Sequence, residues 1–175
     1  MNSPTTLAEH PEVLDALIES ATAMLRELTQ YESWPEQMGP ADGIALTEDG
    51  PRITAQLKLL RHHPGELRLE LAEPSALKLA QRYLPPETPL AADLIDDTVG
   101  EFANVIAGQA KTMLKGTLFH FSLSTPVVTR VPAQAEKEKE KVLGGDQPAD
   151  QVAMLIGFEE GQMRLALTLT AEQGS

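Results

Sequence analysis

Two pairs of alternating apolar runs, each closed by a tight turn, constrain this chain more than anything else in it. Ile53, Ala55, Leu57 and Leu59 alternate with polar residues, as do Leu67, Leu69 and Leu71, and His62-His63-Pro64-Gly65 lies between the two runs. Val152, Met154, Ile156 and Phe158 repeat the pattern, followed by Glu159-Glu160-Gly161 and then Met163, Leu165, Leu167 and Leu169. Period-two patterning across a short turn predicts a half-buried antiparallel hairpin. Two such hairpins, separated by helical periodicity, predict an α+β fold with an antiparallel sheet of about six strands. Hydrophobic residues make up 42% of the 175, enough for a core. Aromatics are only 4%, so Leu, Ile, Val and Ala must fill it.

Helical spacing predicts the remaining elements. Leu14, Leu17, Ile18, Ala21, Leu25 and Leu28 repeat at i+3 and i+4 behind Pro11, which suits a first helical position. Trp34-Pro35 and Gly39-Pro40 are expected to end this helix, with a short strand at Gly43 to Thr47. A short helix is expected from Pro74 to Leu84, and a long one from Leu90 to Leu114 with Gly116 ending it. Thr117 to Ser124 and Val127 to Val131 read as strands split by Pro126. The order is a helix and three strands, then helices and three or four strands, so the two halves look alike. All of 1–175 is read as one domain. Its exception is AQAEKEKEKVLGGDQPA, residues 133–149, where alternating Glu and Lys with two glycines predict a mobile charged loop.

Composition removes several functions. Fourteen basic and 26 acidic residues give a net charge of −12, which repels phosphate backbones and excludes a nucleic-acid partner. There are no cysteines, hence no disulfides, thiol catalysis or iron–sulfur cluster. No apolar run approaches the roughly 18 residues of a membrane helix, and residues 1–10 lack a signal-peptide pattern. A soluble, cytoplasmic protein with no membrane partner is expected. The charge is uneven: residues 1–36 hold seven acids and Arg26 as the single Lys or Arg. That is the solvated face of an acidic helix, or a docking surface for a basic partner.

Familiar catalytic motifs fail. His10, His62, His63 and His120 have no acid at metal-ligand spacing, so no metal is expected. Gly108-Gln109-Ala110-Lys111-Thr112 lacks the glycine and the preceding strand of a phosphate-binding loop. What remains is the long helix. On it Ile95, Thr98, Phe102, Ile106 and Met113 form a core face, and Gly100, Ala103 and Ala107 a stripe of small residues. Asp97, Glu101, Asn104 and Gly108, spaced 4, 3 and 4, form a polar stripe roughly 130–150° from the core face. Asn and Gly are poor interior helix residues, Gly by about 1 kcal/mol relative to Ala. By spacing alone the stripe is an ordinary solvated face carrying Asp, Glu and Asn; the Asn and the Gly point instead to a surface on which a partner docks.

The run Asp97-x-x-x-Glu101-x-x-Asn104-x-x-x-Gly108-x-Ala110, followed by Ser124-Thr125-Pro126-Val127-Val128, resembles the signature of the CheC/CheX/FliY phosphatases of bacterial chemotaxis. The resemblance extends from about residue 11 to 170, with Val127 where many relatives carry a second proline. One motif, in the second half, is more similar to CheX than to CheC. Asp15, Glu19, Thr22 and Arg26 in the first helix repeat the spacing, with Thr in place of Asn and Arg in place of Gly, as a silent relic or a coincidence.

The resemblance implies two pseudo-symmetric halves with helices on one face of the sheet. It implies hydrolysis of the phospho-aspartate of a CheY-like receiver domain, and a partner that brings its own magnesium, so that this chain needs no cofactor. It implies Asn104 orienting the attacking water, Glu101 pairing with the receiver's lysine, and Asp97 and Gly108 contacting the partner. It also implies a homodimer joined edge to edge. A non-catalytic module that binds a receiver or another signalling protein is the alternative. A structural role in the flagellar motor, as for FliY-type relatives, is a third reading, disfavoured by the lack of further assembly domains.

Overall fold

A computed structural model describes residues 6–60, 64–117, 119–132 and 150–169. Three helices, α1 (Pro11–Met24), α2 (Glu73–Tyr83) and α3 (Ala92–Met113), lie on one sheet built from β1 (Ser33–Pro40), β2 (Arg52–Leu60), β3 (Gly65–Ala72), β4 (Ser122–Leu123), β5 (Val127–Val131), β6 (Asp150–Phe158) and β7 (Gly161–Leu169). The sheet is antiparallel throughout and runs β1-β6-β7-β3-β2, with β4 and β5 both pairing to the free side of β2. Both expected hairpins form, with Leu57 opposite Leu67 in one and Met154 opposite Leu165 in the other. Their shared period puts Ile53, Leu57, Leu69, Met154, Ile156 and Leu165 on one buried face under the helices.

The likeness of the halves is visible in the pairing. Exchanging β1, β2, β3 for β5, β6, β7 and reading the sheet backwards returns the same order. Each half's hairpin is flanked by the other half's edge strand, β1 on β6 and β5 on β2. α1 and α3, which open the two halves, pack side by side over the centre.

Four expectations need correction. Residues 33–40 are an edge strand rather than a helix stop. Proline is tolerated there because an edge residue need not donate to a neighbour, and the register shifts between Pro35 and Gln37. α1 gives way to a wider helical turn at Leu25–Thr29, and Gln30 closes it in the left-handed conformation. Residues 43–47 form no strand. They belong to a connection that crosses the opposite face of the sheet, where Ala41 and Ile44 pack on Ala153, Leu155 and Ala166. The Arg164 guanidinium holds this connection through the carbonyls of Ile44 (2.7 Å) and Ala41 (2.8 Å). Of the strand expected at 117–124, only Ser122 and Leu123 pair. Phe119 and Phe121 turn into the core instead, after Gly116 (φ +87°) has ended the helical path. His62, His63 and the charged loop 133–149 lie outside the described residues.

Candidate functional site

α3 sorts its side chains into three faces. Ile95, Thr98, Phe102 and Ile106 are buried as the spacing predicts. Met113 is not: it is 44% exposed and leans toward α1, where its sulfur accepts the Ser20 hydroxyl at 3.5 Å. Gly100, Ala103 and Ala107 are buried in close packing. A Cβ on Gly100 would stand 3.1 Å from Cγ2 of Val128 and 3.9 Å from Cγ of Pro126, so this glycine lets β5 approach the helix.

Asp97, Glu101 and Asn104 stand on the solvent side. Among the described residues, none of their side chains hydrogen-bonds to or pairs with another. Residues three and four apart on a helix are neighbours, so the Glu101 carboxylate and the Asn104 amide can enter one small space. Gly108 continues the stripe, and a Cβ there would meet nothing within 4 Å. Among the described residues nothing asks for a glycine at 108, in contrast to 100. The Thr125-Pro126 step is held beside the helix by Ser124, whose backbone N–H donates to the Lys58 carbonyl (3.0 Å) and whose hydroxyl accepts from the Lys58 N–H (2.8 Å). Val127 is 61% exposed, so its replacement of a proline disturbs no packing.

Two features were not legible from spacing. Arg130 on β5 clamps the first turns of α3, through Nε to Asp96 (2.7 Å), Nη1 to Glu73 of α2 (2.9 Å) and Nη2 to the Ala92 carbonyl (3.1 Å). It fixes the helix one residue before Asp97. No local pattern marks it, because its partners come from two helices far from it in the sequence, α2 and α3. The second feature is an open cleft of about 360 Å³ between α1 and α3, lined by Glu19, Ser20, Ala23, Glu27, Gln109, Thr112 and Met113. The acidic bias of residues 1–36 was the signal that could have found it.

Chemically, the stripe is half a site. It offers a carboxylate and an amide on the exposed side of a helix, where neither is hydrogen-bonded to a nucleophile or base among the described residues. Small-molecule catalysis needs a concave, largely enclosing pocket. Groups on an exposed helix act only when a partner brings the rest of the pocket.

The comparisons with known proteins bear on family and fold. The family model described as Chemotaxis phosphatase CheX matches residues 53–142, just over half of the chain and all of α3. The structure is similar to the chemotaxis protein CheX from Vibrio vulnificus, with a TM-score of 0.70 and 19% identity over 90% of this chain and 99% of that one. It is similar to the CheX–CheY–BeF3–Mg+2 complex from Borrelia burgdorferi, at 0.60 and 15% over 90% and 97%. Thermotoga maritima FliY follows at 0.63 and 16% over 90% and 86%. At such identities the likeness is one of fold. No curated protein matches the sequence significantly.

Proposed function

Because this chain belongs to the chemotaxis phosphatase CheX family, we propose that it hydrolyses the phospho-aspartate of a CheY-like response-regulator receiver domain. The observation that supports this most is the exposed stripe of α3. A carboxylate and an amide stand there without partners among the described residues, beside a glycine that the chain's own packing does not require. The Borrelia burgdorferi relative was solved in complex with CheY, so a protein of this fold does meet a receiver.

An acyl phosphate is hydrolysed when water attacks phosphorus in line with the leaving carboxylate. The new P–O bond forms to the water oxygen, and the old one breaks to return an aspartate. Such transfers need positioning and charge neutralisation more than covalent help. Charge neutralisation would come from magnesium bound by the receiver, outside this chain. Asn104 enters beside the phosphoryl group and holds the water through its amide. Glu101 pairs with the receiver's lysine and fixes the register of the two proteins. Asp97 contacts the partner one turn earlier, and Gly108 keeps the next turn free of side chains.

Asn104→Ala tests the reading. Misplacement by about 1 Å costs roughly 10²-fold in rate, so phosphate loss should slow by at least that factor while binding to the phosphorylated receiver changes little. Dephosphorylation at the wild-type rate would leave a docking module without catalysis.

We also propose a homodimer joined at a sheet edge, since exposed edges invite pairing. The β5 side is the better candidate, because β1 carries Pro35 and Pro40 and an interrupted register. Light scattering should give twice the 19.0 kDa of one chain. A single-chain mass across a wide concentration range refutes it.

A further inference from the structure

The cleft between α1 and α3 begins where the α3 stripe ends. Gln109 and Thr112 line it, and the Thr112 hydroxyl donates back to the Gly108 carbonyl at 3.1 Å. A partner seated on Glu101 and Asn104 that passes over the bare turn at Gly108 therefore arrives in this cleft. Its floor is Ala23 with the half-exposed Met113, whose thioether is held by Ser20. Glu19 on α1 and Glu27 on the wider turn that follows it form its wall, with Ala23 midway between them in the sequence. No basic side chain lines it, and neither carboxylate has a salt-bridge partner among the described residues.

An apolar floor beneath an acidic wall suits side chains that are apolar along the stem and cationic at the tip. Positions 19 and 27 are eight residues apart, about 12 Å along a helix axis, which is too far for one cation to touch both. Resting on the receiver reading of the α3 stripe, we propose that this cleft is the second half of the receiver's docking footprint. It takes a segment with two basic side chains, whose stems lie over Ala23 and Met113 and whose heads meet Glu19 and Glu27. The excess of acids in residues 1–36 then acts at a defined place, choosing among receivers by the basic residues beside their phosphorylation site and hastening encounter.

The test uses the full chain and receiver domains from the same genome, activated with beryllofluoride and magnesium, titrated at low and high salt. The double reversal Glu19→Lys/Glu27→Lys should weaken binding about tenfold or more and flatten its salt dependence. Ala23→Trp, which fills the floor without changing charge, should weaken binding as well. Asp42→Lys/Asp49→Lys makes the same charge change in the connection between β1 and β2, and should stay within about twofold of wild type. Wild-type affinity in the Glu19/Glu27 variant overturns the proposal. So does equal weakening by the Asp42/Asp49 variant, which would assign the effect to the net charge of the chain. If receivers bind and the Glu19/Glu27 variant is weakened but phosphate is lost no faster than from the receiver alone, the cleft stands and the phosphatase reading falls. If no activated receiver binds the wild-type chain, both fall.

Discussion

α1 and α3 open the two halves of the same pseudo-symmetric sheet, and both carry an Asp and a Glu four residues apart on an exposed side. One turn further they part. Thr22 of α1 folds its hydroxyl back onto its own helix, donating to the carbonyls of Ile18 (3.0 Å) and Glu19 (3.1 Å). A short hydroxyl inside a helix finds these carbonyls readily. Asn104 reaches past that range, and its amide stays uncommitted among the described residues. Four residues on, α1's spacing reaches the exposed Arg26 where α3 has Gly108, which carries no side chain. The acidic pair therefore does not distinguish the two helices, since both have one. An amide that points outward and a turn without a side chain make the difference.

The comparison can be broken at each of these positions. On the proposed receiver docking, the largest effect is expected from Glu101→Lys, which would set a cation against the receiver's lysine. Like-charge contact across an interface costs several kcal/mol, so binding and turnover should both collapse in a pull-down and a phosphate-loss time course. Retained binding would show that Glu101 faces no cation. Next comes Asn104→Thr, which gives α3 the residue of α1. Its hydroxyl should turn back onto the Gly100 carbonyl, and the rate should drop by roughly 10²-fold with the receiver still bound. A rate near wild type would mean that the amide is not the distinguishing group. The smallest effect sharpens the contrast between the two glycines of α3. Gly108→Ala should stabilise the isolated chain by about 1 kcal/mol, a rise of roughly 2–4 °C in Tm, because the new methyl meets nothing. Gly100→Ala should not share this gain, because Val128 stands 3.1 Å from the new carbon. Equal melting points for the two variants would remove the argument that Gly108 is kept for a partner.

Much of this was legible in the sequence where local periodicity and burial agree. The two hairpins carry strict alternation and are buried under helices, so pattern and structure coincide. α3 is long and amphipathic, and its exposed stripe follows from helical geometry. Sequence reading failed where tertiary contacts reverse local signals. Pro35, Gly39 and Pro40 read as breakers, yet an edge strand tolerates them because one side of it pairs with nothing. Phe119 and Phe121 look like strand residues, but they close the end of the core as a turn. Met113 fits the core face of α3 by phase, but α1 covers it only in part. The Arg130 clamp and the cleft depend on which elements become neighbours, and no window along the chain contains that information.

The exchanged edge strands also dictate the order in which the protein can mature on the ribosome. β1 emerges early, but its hydrogen-bonding partner is β6, with Ser33 opposite Phe158 and Met38 opposite Met154. At about 5–20 residues per second, β1 waits on the order of ten seconds before that partner is synthesised. The β2–β3 hairpin forms from neighbours, but its outer flank stays open until β5 arrives. During that interval the nascent chain offers one unpaired strand bearing Trp34 and Met38 and a hairpin with both edges unpaired, β2 until β5 and β3 until β7, all open to mispairing with other chains. A release at the midpoint yields half a sheet whose outer strand has nowhere to go, so closure of this fold is an event of the last strands translated.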